Sequence, residues 1–409
     1  MKKLIAAFLT VSLAVGAVTM PMTAAAGKIA TEYYSADLTD NITASADSDG
    51  VLPAAAKPMV DAKSAVLMER DSGQVLYELN AHEKRAPASI TKVMSLLIIM
   101  EAIDSGKLTL KTKVSASEHA CSMGGSQIWL EPGETMTVDE LLRATVVASA
   151  NDATVALAEA VSGSEEAFVD KMNAKAKALS MNDTHFENAS GLDAKGHVSS
   201  AYDIAIMSTA LIKHSLIKKY TGIWMDSLRN GQSQLVNTNK LVRFYKGTTG
   251  LKTGTTSTAG FCVSATAEKN GMELCAVILG AENNDGRFSG AKKLLNYGFA
   301  NWTLKTVTVD QKKLQPISVQ KGCEPQIGVT AAGSGKYLLQ SGSEQTPKVK
   351  ISLPDTVKAP VVKGQKVGTA SVYIANKQIG SIDLLAAQSV ALLDFRHALN
   401  RIIKALCTL

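Results

Sequence analysis

In "APASITKVMS", residues 86–95, a serine stands three residues ahead of a lysine. On a helix that spacing sets Ser89 and Lys92 one turn apart on one face, with the amine in reach of the hydroxyl. A serine hydroxyl is a poor nucleophile until a neighbouring base takes its proton. A lysine serves as that base when burial or a second cation lowers its pKa. The spacing alone decides nothing, because Ser215/Lys218, Ser289/Lys292 and Ser318/Lys321 share it.

Only the first pair is followed by two more motifs in a set order. Ser149-Ala150-Asn151 comes next and Lys252-Thr253-Gly254 third. Ser-x-Asn is weak by itself, since Ser180-Met181-Asn182 matches it, whereas Lys-Thr-Gly occurs once. The three in this order are the signature set of penicillin-recognising serine enzymes. Each context suits acyl transfer. Pro87 precedes a predicted helix through "SITKVMSLLIIMEAIDSG", so the Ser89 N–H lies at a helix start and can face a developing oxyanion. Lys252 supplies the second cation. Ser149 can relay a proton to a leaving amine, and Asn151 can hold Lys92 or a substrate amide. Lys252-Thr253-Gly254 opens a predicted edge strand, to which a peptide can add by backbone hydrogen bonds. Gly254 leaves room for close approach. The other three Ser/Lys pairs read as solvated surface.

The flanking segments alternate between strand and helix periods. "SAVLMERDSGQVLYELN" predicts a β-hairpin around Asp71-Ser72-Gly73. "TVDELLRATVVAS" predicts a helix capped by Thr137, with Glu140 three residues on. "NDATVALAEAVSGSEEAFVDKMNAKAKALS" and "VSSAYDIAIMSTALIKH" are helical in pattern. "GLKTGTTSTAGFCVSATAEKNGMELCAVILGA" turns to β-branched alternation and predicts a long hairpin about Asn270-Gly271. "RFSGAKKLLNYGFANW" closes with a helix. Beyond about residue 305, short strand-like runs split by Gly, Pro and Ser predict a small all-β domain, a spacer or docking module.

Both ends carry targeting patterns. Lys2 and Lys3, the apolar "LIAAFLTVSLAVGAV" and Ala24-Ala25-Ala26 predict a cleaved secretory signal peptide rather than an uncleaved anchor. In "ALLDFRHALNRIIKALCTL", Leu392, Phe395, Leu399, Ile402 and Leu406 share one helix face. Asp394, Arg396, His397, Asn400, Arg401 and Lys404 occupy the other, too many charges for a spanning helix. A basic amphipathic helix lying on a membrane surface fits, with a helix packed on the protein's own surface as the plainer alternative. The expected organisation is a signal peptide at 1–26, a flexible segment at 27–56, a catalytic domain at 57–304, a β domain at 305–387 and the amphipathic helix at 388–409.

Composition excludes several classes. The 409 residues are 46% hydrophobic and 20% charged, as in a globular protein of two or three domains. A net charge of +6, with no basic run interleaved with aromatics, argues against nucleic acid. Five widely spaced cysteines do not make a disulfide scaffold, although Cys262 and Cys275 can fall on neighbouring strands. The six histidines are scattered and His-Glu-x-x-His is absent, so no metal or cofactor is expected.

From about residue 57 to the C-terminus the chain resembles the low-molecular-mass penicillin-binding proteins, specifically the D-alanyl-D-alanine carboxypeptidases of the penicillin-binding protein 5 type, peptidase family S11. "ENASGLDAKGHVSSAYDIA", "GLKTGTT" and "RFSGAKKLLNYGF" carry the resemblance alongside the three motifs. It implies an α+β fold. A serine β-lactamase/DD-peptidase-like domain, with an antiparallel sheet flanked by helices and a helical subdomain, precedes a small all-β domain and a C-terminal amphipathic helix. It implies Ser89 as the acylated nucleophile and Lys92 as its base, with Ser149 and Asn151 lining the cleft. The N–H groups of Ser89 and Thr255 are the implied oxyanion hole. Thr253, Thr255 and Arg287 are the implied hold on the substrate's terminal carboxylate, with Lys252 and Gly254 beside them. The implied partners are peptidoglycan stem peptides ending in D-Ala-D-Ala, at the outer face of the cytoplasmic membrane, and β-lactams that acylate the same serine. Ala150 departs from the glycine often found in the family, a small change of little expected effect. His197 and Asp203 read as helix entry and capping rather than catalysis.

Four other functions bear on the same motifs. A class A β-lactamase wants Glu-x-x-x-Asn between the second and third motifs, and none is present. A DD-transpeptidase stays open, since only the acceptor differs. A non-catalytic wall-binding protein would keep the fold and work without Ser89. An esterase lacks its Gly-x-Ser-x-Gly elbow.

Overall fold

In the computed structural model, which describes residues 56–342, 346–374, 376–399 and 403, β1 (Ser64–Glu69) and β2 (Val75–Leu79) form the hairpin expected about Asp71-Ser72-Gly73. The stretch expected as one long hairpin makes three strands, β3 (Thr248–Thr256), β4 (Gly260–Lys269) and β5 (Met272–Ala281). The extra strand arises because the chain reverses after Thr256 and again at Asn270-Gly271. Both residues of that second turn have positive φ, 51° and 76°, the geometry of a tight hairpin. The sheet is antiparallel in the order β2-β1-β5-β4-β3, which leaves β3 on an edge as expected.

Every residue of β1 and β5 is buried, because helices cover both faces of the sheet. On the helical side, α1 (Lys92–Asp104) follows a 3-10 turn at Ala88–Thr91 and ends before Gly106, whose φ is +75°. α2 (Val138–Arg143) starts in the expected capping box of Thr137 and Glu140. It does not continue as one helix to Ser149. Residues Ala144–Ala148 widen into a π turn, and Ser149 takes a left-handed φ of 62°. α3 (Asn151–Ser162) restarts there. Gly163, with φ +89°, separates it from α4 (Glu165–Ala178), which Ser164 caps. α5 (Ala201–Leu211) is capped by Ser200, and α6 (Asn284–Asn301) by Asn283.

The period of two in the strands sorts the core. Ala65, Leu67, Val263, Ala265, Ala276 and Ile278 pack with Phe288, Ala291, Leu294 and Leu295 of α6. Val66, Met68, Cys275 and Val277 pack into the helical half. Burying a Leu- or Val-sized side chain contributes about 1.5–3 kcal/mol, so this two-sided packing dominates stability. Cys262 and Cys275 lie on adjacent strands, as expected, and are unbridged.

The chain turns directly from α6 into a strand at Trp302–Val307, which pairs with Gly335–Gln340. Three- and four-stranded sheets complete this all-β part around Ile317, Ile327, Val372 and Leu384. Beyond it, the described residues 395–399 and 403 are helical, with Phe395 and Leu399 exposed. Residues 388–394, expected to begin the amphipathic helix, instead extend the β part: Val390 pairs with Val361 and Leu392 with Gly322. Most of the remainder of the expected helix, including Ile402 and Leu406, lies outside the described residues. So do the signal peptide at 1–26 and nearly all of the segment at 27–56. Among the described residues no helix is long and apolar enough to cross a membrane.

Candidate active site

Ser89 does not sit in the first α-helical turn but in the 3-10 turn ahead of it, where Ala88 adopts φ +49°. That turn aims the hydroxyl at Lys92, the first residue of α1. Lys92 is completely buried, and its Nζ donates to Asn151 Oδ1 at 2.6 Å and to the Ser190 carbonyl at 2.7 Å. Ser89 Oγ lies 3.0 Å away. Asn151 Nδ2 donates to the Gly124 carbonyl at 2.6 Å, which fixes the oxygen end of the amide toward Lys92. A neutral amine has two N–H bonds and one lone pair. The two pure acceptors engage both N–H bonds, and the lone pair is left for the Ser89 proton.

Electrostatics lower the pKa of that amine. Burial, and then the charge of Lys252, push Lys92 well below its usual 10.5, while Asp152 opposes the shift. Lys252 is itself 1% exposed and is pushed down to about 7 by burial and by Arg287. The second amine read from the sequence is therefore buried on β3, and its charge lowers the pKa of Lys92.

β3 runs close against the turn that carries Ser89. A Cβ added to Gly254 would stand 2.9 Å from the Pro87 carbonyl oxygen and 3.1 Å from Ile90 N. Thr253 is buried, and its hydroxyl donates to Thr238 Oγ1 at 2.6 Å. Thr255 is exposed, and its Oγ1 accepts from Arg287 Nη1 at 2.9 Å. The same Nη1 reaches the Gly254 and Cys262 carbonyls at 3.1 and 3.2 Å. Arg287, 7% exposed and pushed down to about 10 by burial, thus stands behind Thr255 rather than beside open solvent.

The π turn and left-handed Ser149 turn the middle motif inward. Such a φ costs a non-glycine residue ~1–2 kcal/mol. Ser149 is buried, and no hydrogen bond joins its side chain to Ser89 or Lys92 among the described residues. Ala150 has φ −61°, a value any residue adopts, so its backbone calls for no glycine. Asp152 carried no weight in the reading of the motifs. Its buried carboxylate accepts from the N–H groups of Ile128, Leu130 and Ala153. The N–H of Asn151 donates to the Ser126 carbonyl at 2.7 Å. Together these pin the 124–130 loop to the start of α3.

The segment "ENASGLDAKGHVSS" forms the remaining wall. A Cβ on Gly191, at φ +87°, would fall 1.9 Å from the Ala88 carbonyl oxygen, so only glycine lets this loop press on the turn that carries Ser89. His197 accepts the Glu187 N–H at Nδ1, which leaves its proton on Nε2 to donate to Thr91 Oγ1 at 2.7 Å. Burial pushes His197 down to about 4, so it is neutral there. It therefore braces Thr91 rather than entering a helix. Asp203 accepts from Thr184 Oγ1 and the Asp183 N–H, at the start of α5, where Ser200 supplies the cap. Among the other Ser/Lys pairs, Lys218 turns to Glu268 and Glu273 and away from Ser215. No cluster of His, Cys, Asp and Glu fit for a metal occurs among the described residues.

A two-sided sheet, a helical half and a serine facing a buried lysine beside an edge strand together mark a serine DD-peptidase. The profile of peptidase S11, D-alanyl-D-alanine carboxypeptidase, matches residues 52–283, and that of the penicillin-binding protein 5 C-terminal domain matches residues 302–392. D-alanyl-D-alanine carboxypeptidase DacF of Bacillus subtilis is 46% identical over 76% of this chain and 80% of its own length. Penicillin-binding protein 5 of Haemophilus influenzae superposes with TM-score 0.72 at 30% identity, covering 82% of this chain and 99% of that one. Penicillin-binding protein D2 of Listeria monocytogenes, solved in its ampicillin-bound form, superposes with TM-score 0.55 at 31% identity, covering 60% of this chain and 100% of that one. The chain belongs to the S11 family of D-alanyl-D-alanine carboxypeptidases and is an enzyme of that type.

Proposed function

We propose that Ser89 carries the carboxypeptidase reaction as an acyl-enzyme with Lys92 as its base. The observation that carries this reading is the trio of partners on the Lys92 amine, two acceptors and one hydroxyl. Ser89 Oγ attacks the carbonyl carbon of the penultimate D-Ala of a peptidoglycan stem peptide, and its proton passes to Lys92 Nζ. The oxyanion is held by the N–H groups of Ser89 and Thr255. The C–N bond then breaks, and the proton reaches the leaving amine of the terminal D-Ala from Lys92 through the Ser149 hydroxyl. Water adds to the ester carbonyl, gives its proton to Lys92, and Ser89 departs with that proton. Thr255, polarised by Arg287, and Thr253 receive the substrate's terminal carboxylate beside Lys252.

A β-lactam acylates the same serine, and its leaving group stays tethered in the site. The ampicillin complex of the Listeria relative supports this. The signal-like residues 1–26 and the amphipathic pattern at 388–409 support export and attachment at the outer face of the cytoplasmic membrane. The test is penicillin labelling followed by peptide mass mapping. The reading expects the adduct on Ser89, and an adduct on any other serine overturns it.

A further inference from the structure

The Ser190 carbonyl beside Lys92 is held by a residue that makes no hydrogen bond to Lys92 itself. The Ser190 carbonyl that receives one Lys92 N–H belongs to the same peptide unit as the Gly191 N–H. In a trans peptide these two groups point in opposite directions. The Gly191 N–H donates to Asn188 Oδ1 at 2.7 Å. The same oxygen accepts the Ser190 N–H at 3.2 Å, and Asn188 Nδ2 donates to the Leu192 carbonyl at 2.9 Å. One carboxamide therefore grips the loop on both sides of the peptide unit that faces Lys92. On the opposite side of Ser190, the Ala189 carbonyl accepts from Ser95 Oγ at 2.6 Å and the Ala189 N–H donates to Glu165 Oε1 at 2.9 Å. Ala189 is thus fixed independently, and what Asn188 adds is the rotation of the 190–191 peptide.

We propose that Asn188 is a positioning residue for catalysis. By turning the Ser190 carbonyl onto Lys92, it sets the direction in which the Lys92 lone pair meets Ser89. This rests on Lys92 being the base. Lys92 has Asn151 Oδ1 and Ser190 O as acceptors, and losing the second frees the amine to rotate away from the serine hydroxyl. The lost acceptor also favoured the ammonium form, which keeps all its protons as donors. Its loss lowers the pKa of Lys92. The charged groups that face Lys92, Lys252 from β3 and Asp152 from α3, stay in place.

The experiment is the pH profile of penicillin acylation for the wild type, Asn188→Ala, Asn188→Asp and Lys92→Ala, with thermal unfolding of each beside it. Asn188→Ala is expected to lower the plateau rate at least tenfold and to move the acid limb to lower pH. Asn188→Asp keeps an acceptor for the Gly191 N–H and adds a negative charge near the amine. It is expected to recover most of the plateau and to move the acid limb to higher pH. Opposite displacements from two substitutions at one position are not produced by loss of folded protein, which scales the whole profile. Unchanged limbs in both Asn188 variants, with Lys92→Ala inactive, overturn the role of Asn188 alone. Acylation that survives Lys92→Ala overturns the assignment of the base beneath it.

Discussion

Lys92 and Lys252 are both fully buried, and the charge of Lys252 lowers the pKa of Lys92. Two buried amines are an unfavourable arrangement for stability and a useful one for catalysis. The folded-state pKa of Lys252 is about 7, against about 10.4 in an unfolded chain. Between these values the unfolded state binds more protons, so stability rises with pH from about 7 toward 10. Lys252→Met is expected to stabilise the protein at pH 7 by about 1–4 kcal/mol, to flatten that rise and to lose activity. Urea midpoints at pH 7 and pH 9 measure it.

Gly254→Ala pushes a methyl group against Pro87, Ala88 and Ile90 at distances of 2.9–3.1 Å. The nucleophile turn and β3 must then separate, an overpacking cost of about 1–3 kcal/mol. The expected outcome is a loss of acylation rate by tenfold or more in protein that still unfolds cooperatively. Stopped-flow penicillin binding with a parallel melting curve measures both.

The three motifs were legible because their chemistry depends on side-chain identity. A hydroxyl, two amines and an amide can come only from certain residues, and their order narrows the choice. The Ser190 carbonyl was not legible, since every residue offers one and only the loop's path brings this one to Lys92. Gly191 and Asn188 sat in a segment recognised by resemblance, but the collision that requires Gly191, with Ala88, joins residues far apart in sequence. The π turn that ends α2 also escaped. "ATVVAS" continues the apolar helical pattern, and the backbone leaves that pattern in a π turn that ends at left-handed Ser149. The long hairpin became three strands because Lys252-Thr253-Gly254 belongs to its own strand, a distinction alternation alone does not draw.

Asp152→Ala removes the acceptor of three backbone N–H groups in a fully buried place. A cost of about 3 kcal/mol or more is expected. The 124–130 loop, released from α3, is expected to gain hydrogen exchange at Ile128 and Leu130. Exchange mass spectrometry measures that release, and protection equal to the wild type contradicts it.

Thr255→Val removes the exposed hydroxyl that Arg287 polarises. The mechanism expects a rise in KM for peptides with a free terminal carboxylate, by about 1–2 kcal/mol of lost binding. Thr253, whose hydroxyl already engages Thr238, is expected to matter less. Steady-state kinetics of the two valine variants decide the order.

Removing residues 395–409 is expected to release the protein from membranes while D-alanine release in solution continues. Fractionation of the truncated and complete chains measures it. Equal membrane partition contradicts the surface-helix assignment.

The most direct measurement is D-alanine release from a peptide ending in D-Ala-D-Ala, by the purified protein and by its Ser89→Ala variant. The account predicts release by the wild type that vanishes in the variant while the fold is kept. Release that persists without the Ser89 hydroxyl would contradict the acyl-enzyme at the centre of the mechanism.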